Sequence, residues 1–229
     1  MSGRIDVPDP VPVVGRAGVP VRVAACRIAE APVDRCPPDD LAAADGLPAP
    51  RAAERLAARG LLRRLLAETT DGEAAAAPLR AEPSGRPVLA GHPDLAVSLS
   101  HADGWVAAAV GRRRVGVDVQ PPRSGIAAAG RPRSARRRGP CRLPDAPTDL
   151  EAAWIWSVQE ACVKATGDGL AGLPWRIPVA PGAVAGRWGG LRWAALRAHF
   201  PLPVSCAWDP GPGTDPETDD PGTDVEVIP

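Results

Sequence analysis

Thr148-Asp149-Leu150-Glu151 begins, and Gly167-Asp168-Gly169 ends, the most regular segment of the chain. A threonine followed three residues later by a glutamate has the spacing of a capping box, in which a hydroxyl and a carboxylate satisfy amides at a helix start. Glycine just past the last turn is a stop signal. The helix predicted between them carries Trp156, Glu160 and Lys164 at i, i+4 and i+8. One face therefore presents an indole, a carboxylate and an ammonium in line. Glu followed four residues later by Lys is also an ordinary helix-stabilising pair worth about 0.2–0.5 kcal/mol, so this spacing alone does not decide the chemistry.

Upstream, the hydrophobic period switches from 3.6 to 2. Leu95-Ala96-Val97-Ser98-Leu99-Ser100 and Trp105-Val106-Ala107-Ala108-Ala109-Val110 are strand candidates around the turn His101-Ala102-Asp103-Gly104, and Val115-Gly116-Val117-Asp118-Val119 follows a Gly-Arg turn. Together they read as a meander of buried strands whose turns carry the polar residues. Asp118 stands between two valines, where a lone carboxylate is costly unless it finds a partner. A strand-end Asp and a helical Glu make a hard-oxygen pair suited to Mg²⁺, although a strand ending in a turn would also account for Asp118. Ser100-His101 could hold a phosphate or merely form a turn. Arg86, in Ser84-Gly85-Arg86-Pro87, is a further candidate phosphate ligand. Ser100 and His101 are adjacent and no G-x-S-x-G elbow is present, which argues against a hydrolase triad.

Farther out, Val21 to Cys26 alternates well enough for a first strand, and Pro50 to Glu68 has helical character with proline in its first turn. Arg51, Arg55, Arg59 and Arg63 recur at steps of four as a slowly winding basic stripe, by default a solvated face and otherwise a ligand-binding one, while Leu61, Leu62, Leu65 and Leu66 supply a buried side. Ser84 to Leu89 reads as a turn into an extended segment. Runs at 176–179, 191–196 and 204–208 read as strands of a second sheet. Residues 1–20 read as a loose lead-in, 120–147 as an Arg-rich linker with six arginines between Arg131 and Arg142, and 209–229 as a disordered acidic tail.

Composition bounds the function classes. The chain has 229 residues with 27 basic and 27 acidic side chains, but Asp209 to Pro229 holds seven acids and no base. The body is therefore positive, which suits an anionic ligand or acidic partner. Five scattered cysteines, with no C-x-x-C, read as free thiols in a reducing compartment. No run of 18 apolar residues and no signal-peptide core at Met1 to Asp6 are found, so a cytoplasmic protein without membrane contact is expected.

Four segments in order carry a resemblance: Ser84-Gly85-Arg86-Pro87; Val97-Ser98-Leu99-Ser100-His101; Val115-Gly116-Val117-Asp118-Val119-Gln120; and Trp156-Ser157-Val158-Gln159-Glu160-Ala161-Cys162-Val163-Lys164-Ala165-Thr166-Gly167. The series resembles the phosphopantetheinyl transferase superfamily, in its long, pseudo-dimeric type acting on polyketide and nonribosomal peptide carrier proteins. The likeness covers roughly residues 50–120 and 150–208. It implies an α+β fold with two pseudo-symmetric α/β subdomains and a cofactor cleft between them: a lead at 1–20, an N-terminal subdomain at 21–119, a linker at 120–147, a C-terminal subdomain at 148–208 and a tail at 209–229.

The implied activity is Mg²⁺-dependent transfer of the 4′-phosphopantetheine arm of coenzyme A to a serine of an acyl or peptidyl carrier protein, releasing 3′,5′-ADP. The resemblance implies that Asp118, Gln120 and Glu160 hold Mg²⁺, that Glu160 serves as base and Lys164 contacts the attacked phosphate, and that Arg86, Ser100, His101 and Arg63 bind the 3′-phosphate of coenzyme A. It further implies a monomer whose partner is a carrier protein of a polyketide, nonribosomal peptide or fatty acid synthase.

The sequence departs from the family pattern at Gln120, where a second acid is usual, at Gln159, where a lysine is usual, at Ala102 for a serine, and across 123–147. These departures motivate an alternative, a catalytically weakened member that binds coenzyme A or the carrier protein. The Arg131–Arg142 cluster lacks an aromatic platform or recognition motif, so nucleic acid is not expected as partner.

Overall fold

The computed structural model of the chain describes residues 11–14, 20–70, 72–123 and 148–212. The expectations for the Arg131–Arg142 cluster, for Cys141 and for the acidic tail past Pro212 lie outside the described residues. The fold is α+β. It opens with β1 (Val11–Val14) and β2 (Pro20–Arg27), then α1 (Pro38–Ala42), α2 (Ala49–Thr69), α3 (Glu73–Ala76), β3 (Leu79–Ala81), β4 (Pro87–Leu89), β5 (Ala96–Ala102), β6 (Trp105–Gly111) and β7 (Val115–Val119). It continues with α4 (Asp149–Thr166), β8 (Ala185–Trp188), β9 (Leu191–Ala195) and β10 (Val204–Trp208).

Among the described residues the strands form two four-stranded antiparallel sheets, in the orders β1-β2-β6-β5 and β7-β10-β9-β8, and a two-stranded ribbon of β3 and β4. Val11–Val14, expected within a loose lead-in, is an edge strand on β2. The meander expected through Val119 breaks after β6, because β7 pairs with β10, register Val117 to Cys206, and belongs to the second sheet. β7, expected with β5 and β6, therefore lies in the other sheet. The run at 176–179, expected as a strand, is instead a 3₁₀ turn over Pro174–Arg176 followed by coil. Pro178 has no amide hydrogen to give a ladder.

The two halves repeat one plan. A strand enters a long helix, and a hairpin follows whose second strand lies beside the entry strand: β2–α2–β5–β6 in the first half, β7–α4–β9–β10 in the second. Alternation sorts the layers. Val21, Val23 and Ala25 of β2 meet Val115, Val117 and Val119 of β7 and Val204 and Cys206 of β10 between the sheets. Ala24 and Cys26 turn the other way onto Leu61, Leu62, Leu65 and Leu66 of α2. Leu191, Trp193 and Ala207 pack likewise onto Trp154, Val158 and Cys162 of α4. Each fully buried leucine contributes about 1.5–3 kcal/mol, so α2 is held by this face more than by helix propensity. Among the described residues, no helix is long and apolar enough to cross a membrane.

Two features fix α4 against β7. The Thr148 hydroxyl accepts from Glu151 N at 3.2 Å, so half of the capping box forms. The Glu151 carboxylate instead takes Gly182 N at 2.7 Å and both Arg197 terminal nitrogens at 2.6 and 2.9 Å. On β7, a methyl group at Gly116 would strike the Ala161 carbonyl oxygen and lie 2.6 Å from Ala165 N. The strand needs glycine there, and the close approach lays the Glu160 and Lys164 turns of α4 directly over Asp118.

Candidate functional site

Asp118 lies between β5, β7 and α4. It is 6% exposed. Its Oδ1 accepts from the Ser100 hydroxyl at 2.8 Å and from Lys164 Nζ at 2.7 Å. Lys164 Nζ also donates to Ser100 Oγ at 2.9 Å and to the Val117 carbonyl at 3.1 Å. The outward amides of β7 are capped by serines of β5: Val117 N donates to Ser98 Oγ at 3.0 Å, and Val119 N to Ser100 Oγ at 3.3 Å. An unpaired strand edge inside a protein would strand those amides; two hydroxyls satisfy them and join the sheets. Asp118 Oδ2, by contrast, is buried with no hydrogen-bond partner.

Glu160 faces the same cluster. Burial first, and then the Asp118 carboxylate, push its carboxyl above the usual 4.5, and the Lys164 ammonium offsets part of that rise. A buried orphan carboxylate oxygen, with a second carboxylate near enough to feel its charge, fits a hard divalent cation. Among the described residues, no group of three or more His, Cys, Asp or Glu gathers as a metal cage. Mg²⁺ takes only one or two carboxylates and completes its shell with phosphate oxygens and water, so the donor set fits that ion. Gln120 follows the last residue of β7. Its amide nitrogen donates to the Pro121 carbonyl at 3.2 Å, and the side chain lines a cavity of about 400 Å³ with Arg51, Glu54, His101 and Arg123.

A larger cavity of about 690 Å³ adjoins through Arg51, Glu54 and His101 and is also lined by Arg55, Arg59 and Arg80. Arg51 and Arg80 are exposed and have no partner among the described residues. Arg55 donates to the Ala43 carbonyl at 2.7 Å and Arg59 to Asp40 Oδ1 at 2.6 Å. His101, with its side chain 48% exposed, stands 3.6 Å from Glu54 through Nδ1. A cavity of this size with a cationic wall suits a nucleotide with several phosphates.

The site residues expected from sequence separate into groups. Asp118, Glu160, Lys164 and Ser100 converge, while His101 lies one residue along β5 at the arginine cavity. Ser100 does not line that cavity, and its hydroxyl is spent on Asp118, Lys164 and Val119. Arg86 is engaged in a two-pronged pair with Glu82, both contacts 3.0 Å, and lines a smaller cavity of about 170 Å³ with Lys164. Arg63 is a correction. It is 1% exposed and bound to Asp40 and to the carbonyls of Ala75 and Ala77, so it is sealed in the core under the cavity and not offered to a ligand. Its neighbours on the stripe, Arg51, Arg55 and Arg59, together with Arg80, are the cavity arginines that sequence reasoning did not select. Gln159 is also repositioned: it is buried and donates to the Ile177 carbonyl at 2.8 Å, on the inner side of α4. A lysine there would not face Asp118.

Compared with protein-family models the chain matches none, and it matches none of the curated proteins.

Proposed function

We propose that this chain is a phosphopantetheinyl transferase of the long type, moving the 4′-phosphopantetheine arm of coenzyme A to a carrier-protein serine and releasing 3′,5′-ADP. The observation that carries the reading is Asp118: a buried strand carboxylate with one oxygen unsatisfied, whose charge helps raise the carboxyl of Glu160 on α4, and whose partner Ser100 is flanked on β5 by Leu99 and His101, both lining an arginine-rich cavity of about 690 Å³. The ordered motifs and the repeated strand–helix–hairpin plan support it, the repeat being the form that two pseudo-symmetric subdomains around a cleft would take.

In this reading Arg51, Arg55, Arg59, Arg80 and His101 bind the phosphates of coenzyme A. Asp118 and Glu160, with the Gln120 amide oxygen as a weaker donor, would hold Mg²⁺, which when bound neutralises charge on the phosphates during attack. Glu160 accepts the proton of the carrier serine. Its burial and its like-charged neighbour raise its basicity above that of a solvated glutamate, which suits a general base. The reaction forms a bond from serine oxygen to the phosphorus of the arm and breaks the bond to the departing 3′,5′-ADP. Positioning and charge neutralisation carry most of such a transfer.

The test is a mass measurement. An apo carrier protein incubated with coenzyme A, Mg²⁺ and this chain gains the mass of the arm. Asp118→Ala and Glu160→Ala abolish the gain. Tight coenzyme A binding with no mass added across a panel of carriers would favour the catalytically weakened alternative.

A further inference from the structure

The turn between β6 and β7 places Arg112, Arg113 and Arg114 on the rim of a cavity of about 430 Å³, and Val88, Leu89 and Leu95 lie among its apolar lining. This cavity shares no arginine with the two at His101. All three guanidinium groups are exposed. Arg112 pairs with Asp94, but the two side chains are 58% and 61% exposed, so the contact is weak and readily exchanged. Arg113 has no carboxylate partner among the described residues. The rim is thus under-neutralised.

The chain returns to this turn as it leaves β10. Asp209 N donates to the Arg114 carbonyl at 2.9 Å, and Arg114 Nη2 lies 3.3 Å from Asp209 Oδ2. Asp209 Oδ1 accepts from Gly211 N at 2.9 Å. Gly211 then passes so near Arg113 that a methyl group on it would lie 3.0 Å from Nε. The first acid after β10 is therefore already seated on the arginine turn. From there the sequence runs on through Asp215, Glu217, Asp219, Asp220, Asp224 and Glu226 with no basic residue up to Pro229. Asp224-Val225-Glu226-Val227-Ile228 mixes acidic with apolar side chains, a composition that matches an apolar floor beneath a cationic rim.

We propose that the cavity at the β6–β7 turn is the docking site of the chain's own acidic segment, residues 213–229, with Arg112 and Arg113 as its main anchors. Tethering through Asp209 and Gly211 holds the acids at high effective concentration over the rim, so individually weak pairs are enough. Covering the turn also removes a basic patch that would otherwise take polyanions without selection. The inference does not depend on the transferase reading.

Glu-C endoproteinase digestion of the full chain tests it, followed by intact mass at the bonds after Glu217 and Glu226. A synthetic peptide of residues 213–229 in the same tube gives the unprotected rate, and cleavage under these conditions tracks the undocked fraction. In the unaltered chain at low salt both bonds are expected to be cut about fivefold or more slowly than in the peptide, and 0.5 M NaCl should abolish that difference. Arg112→Gln with Arg113→Gln should bring the low-salt rate to within about twofold of the peptide. Asp215→Asn with Asp219→Asn and Asp220→Asn, which leaves both cleavage sites intact, should do the same from the other side of the contact. Combining the two sets should add nothing, because each removes the same pairing. Cleavage of the unaltered chain at the peptide's rate overturns the proposal. So does protection that survives the arginine substitutions, which would put the segment on another surface. If the arginine variant does not fold, the aspartate set and the salt series decide.

Discussion

Arg63 of α2 and Asp40 of α1 are joined by a two-pronged ion pair inside the first half, Nε to Oδ2 at 2.7 Å and Nη2 to Oδ1 at 3.0 Å, at 1% and 0% exposure. Arg59 adds a third contact to Asp40 at 2.6 Å, and Arg63 closes its fork on the carbonyls of Ala75 and Ala77. One carboxylate thus ties α1 beneath the stripe whose outer members, Arg51 and Arg55, line the larger cavity. The pair is architecture for the cavity wall, and the energetics follow from burial. Removing one partner leaves an uncompensated buried charge, at a cost of about 3–5 kcal/mol.

Asp40→Asn is accordingly expected to lower unfolding free energy in urea by about 3–5 kcal/mol, with little change in coenzyme A affinity at temperatures where the chain stays folded. Arg51→Ala shows the reverse pattern: stability near that of the unaltered chain and weaker coenzyme A. Coenzyme A affinity untouched by Arg51→Ala would remove the cavity from the site.

Gly116 tests the closeness of α4 to β7. Gly116→Ala puts a methyl group against the Ala161 carbonyl and Ala165 N, backbone that has no rotamer to yield. Overpacking of this kind costs about 1–3 kcal/mol and occasionally more. The helix must lift, so the Lys164 to Asp118 contact lengthens. Urea denaturation checks it: a loss of stability is expected, and a neutral substitution would show that the approach is not tight.

The Glu151–Arg197 pair gives a pH dependence. The Arg197 hydrogen bonds, assisted by the Gly182 amide against a smaller burial effect, hold the Glu151 carboxyl below its usual 4.5. A depressed folded value means the stabilisation is complete above the unfolded carboxylate range and is lost as pH falls through the folded value. Both side chains are about three-quarters covered, and Arg197 also lies over the Trp154 ring at 4.8 Å, so about 1 kcal/mol is expected. The stability gap between the unaltered chain and Glu151→Gln should stay constant from pH 7 to pH 5 and shrink below about 4.5. A gap that widens on acidification would reverse the sign of the argument.

What could be read in the sequence depended on whether the deciding contact was local. The α4 helix and the strands β5, β6 and β7 were legible because period and caps lie within each segment. That β7 joins the second sheet was not, since a strand buried on both faces shows valines either way and its partner β10 begins 85 positions after β7 ends. Asp118 and Glu160 were legible as a pair of chemical types, but the Ser100–Asp118–Lys164 arrangement depends on Gly116, which no motif flags as a spacing device. The arginine stripe held the cavity arginines but Arg63 was the wrong member to select, because Asp40, which draws it inward, lies 23 positions upstream and no local pattern links the two. Strand β8 was missed since Gly186 carries no strand signal; its missing side chain is what lets the Trp193 indole lie on the strand.

Glu160 supplies the last prediction, in which stability and activity move in opposite directions. Its carboxyl is pushed above the usual range by burial and by Asp118, so ionising it costs more in the folded state than in the unfolded one. The penalty appears as pH rises through the unfolded carboxylate range and is fully present above the folded value. Glu160→Gln removes the charge and keeps the shape, so at pH 7 the metal-free protein should melt at a higher temperature than the unaltered chain. At about pH 3.5, where both forms are neutral in either state, the difference should vanish. In the proposed reading the same substitution would remove a cation ligand and the base, and transfer to the carrier serine should fall at least about a hundredfold. Calorimetric melting at the two pH values, paired with the mass assay, separates the possibilities: a Glu160→Gln protein that is less stable at pH 7, or fully active, would place Glu160 outside the reacting cluster.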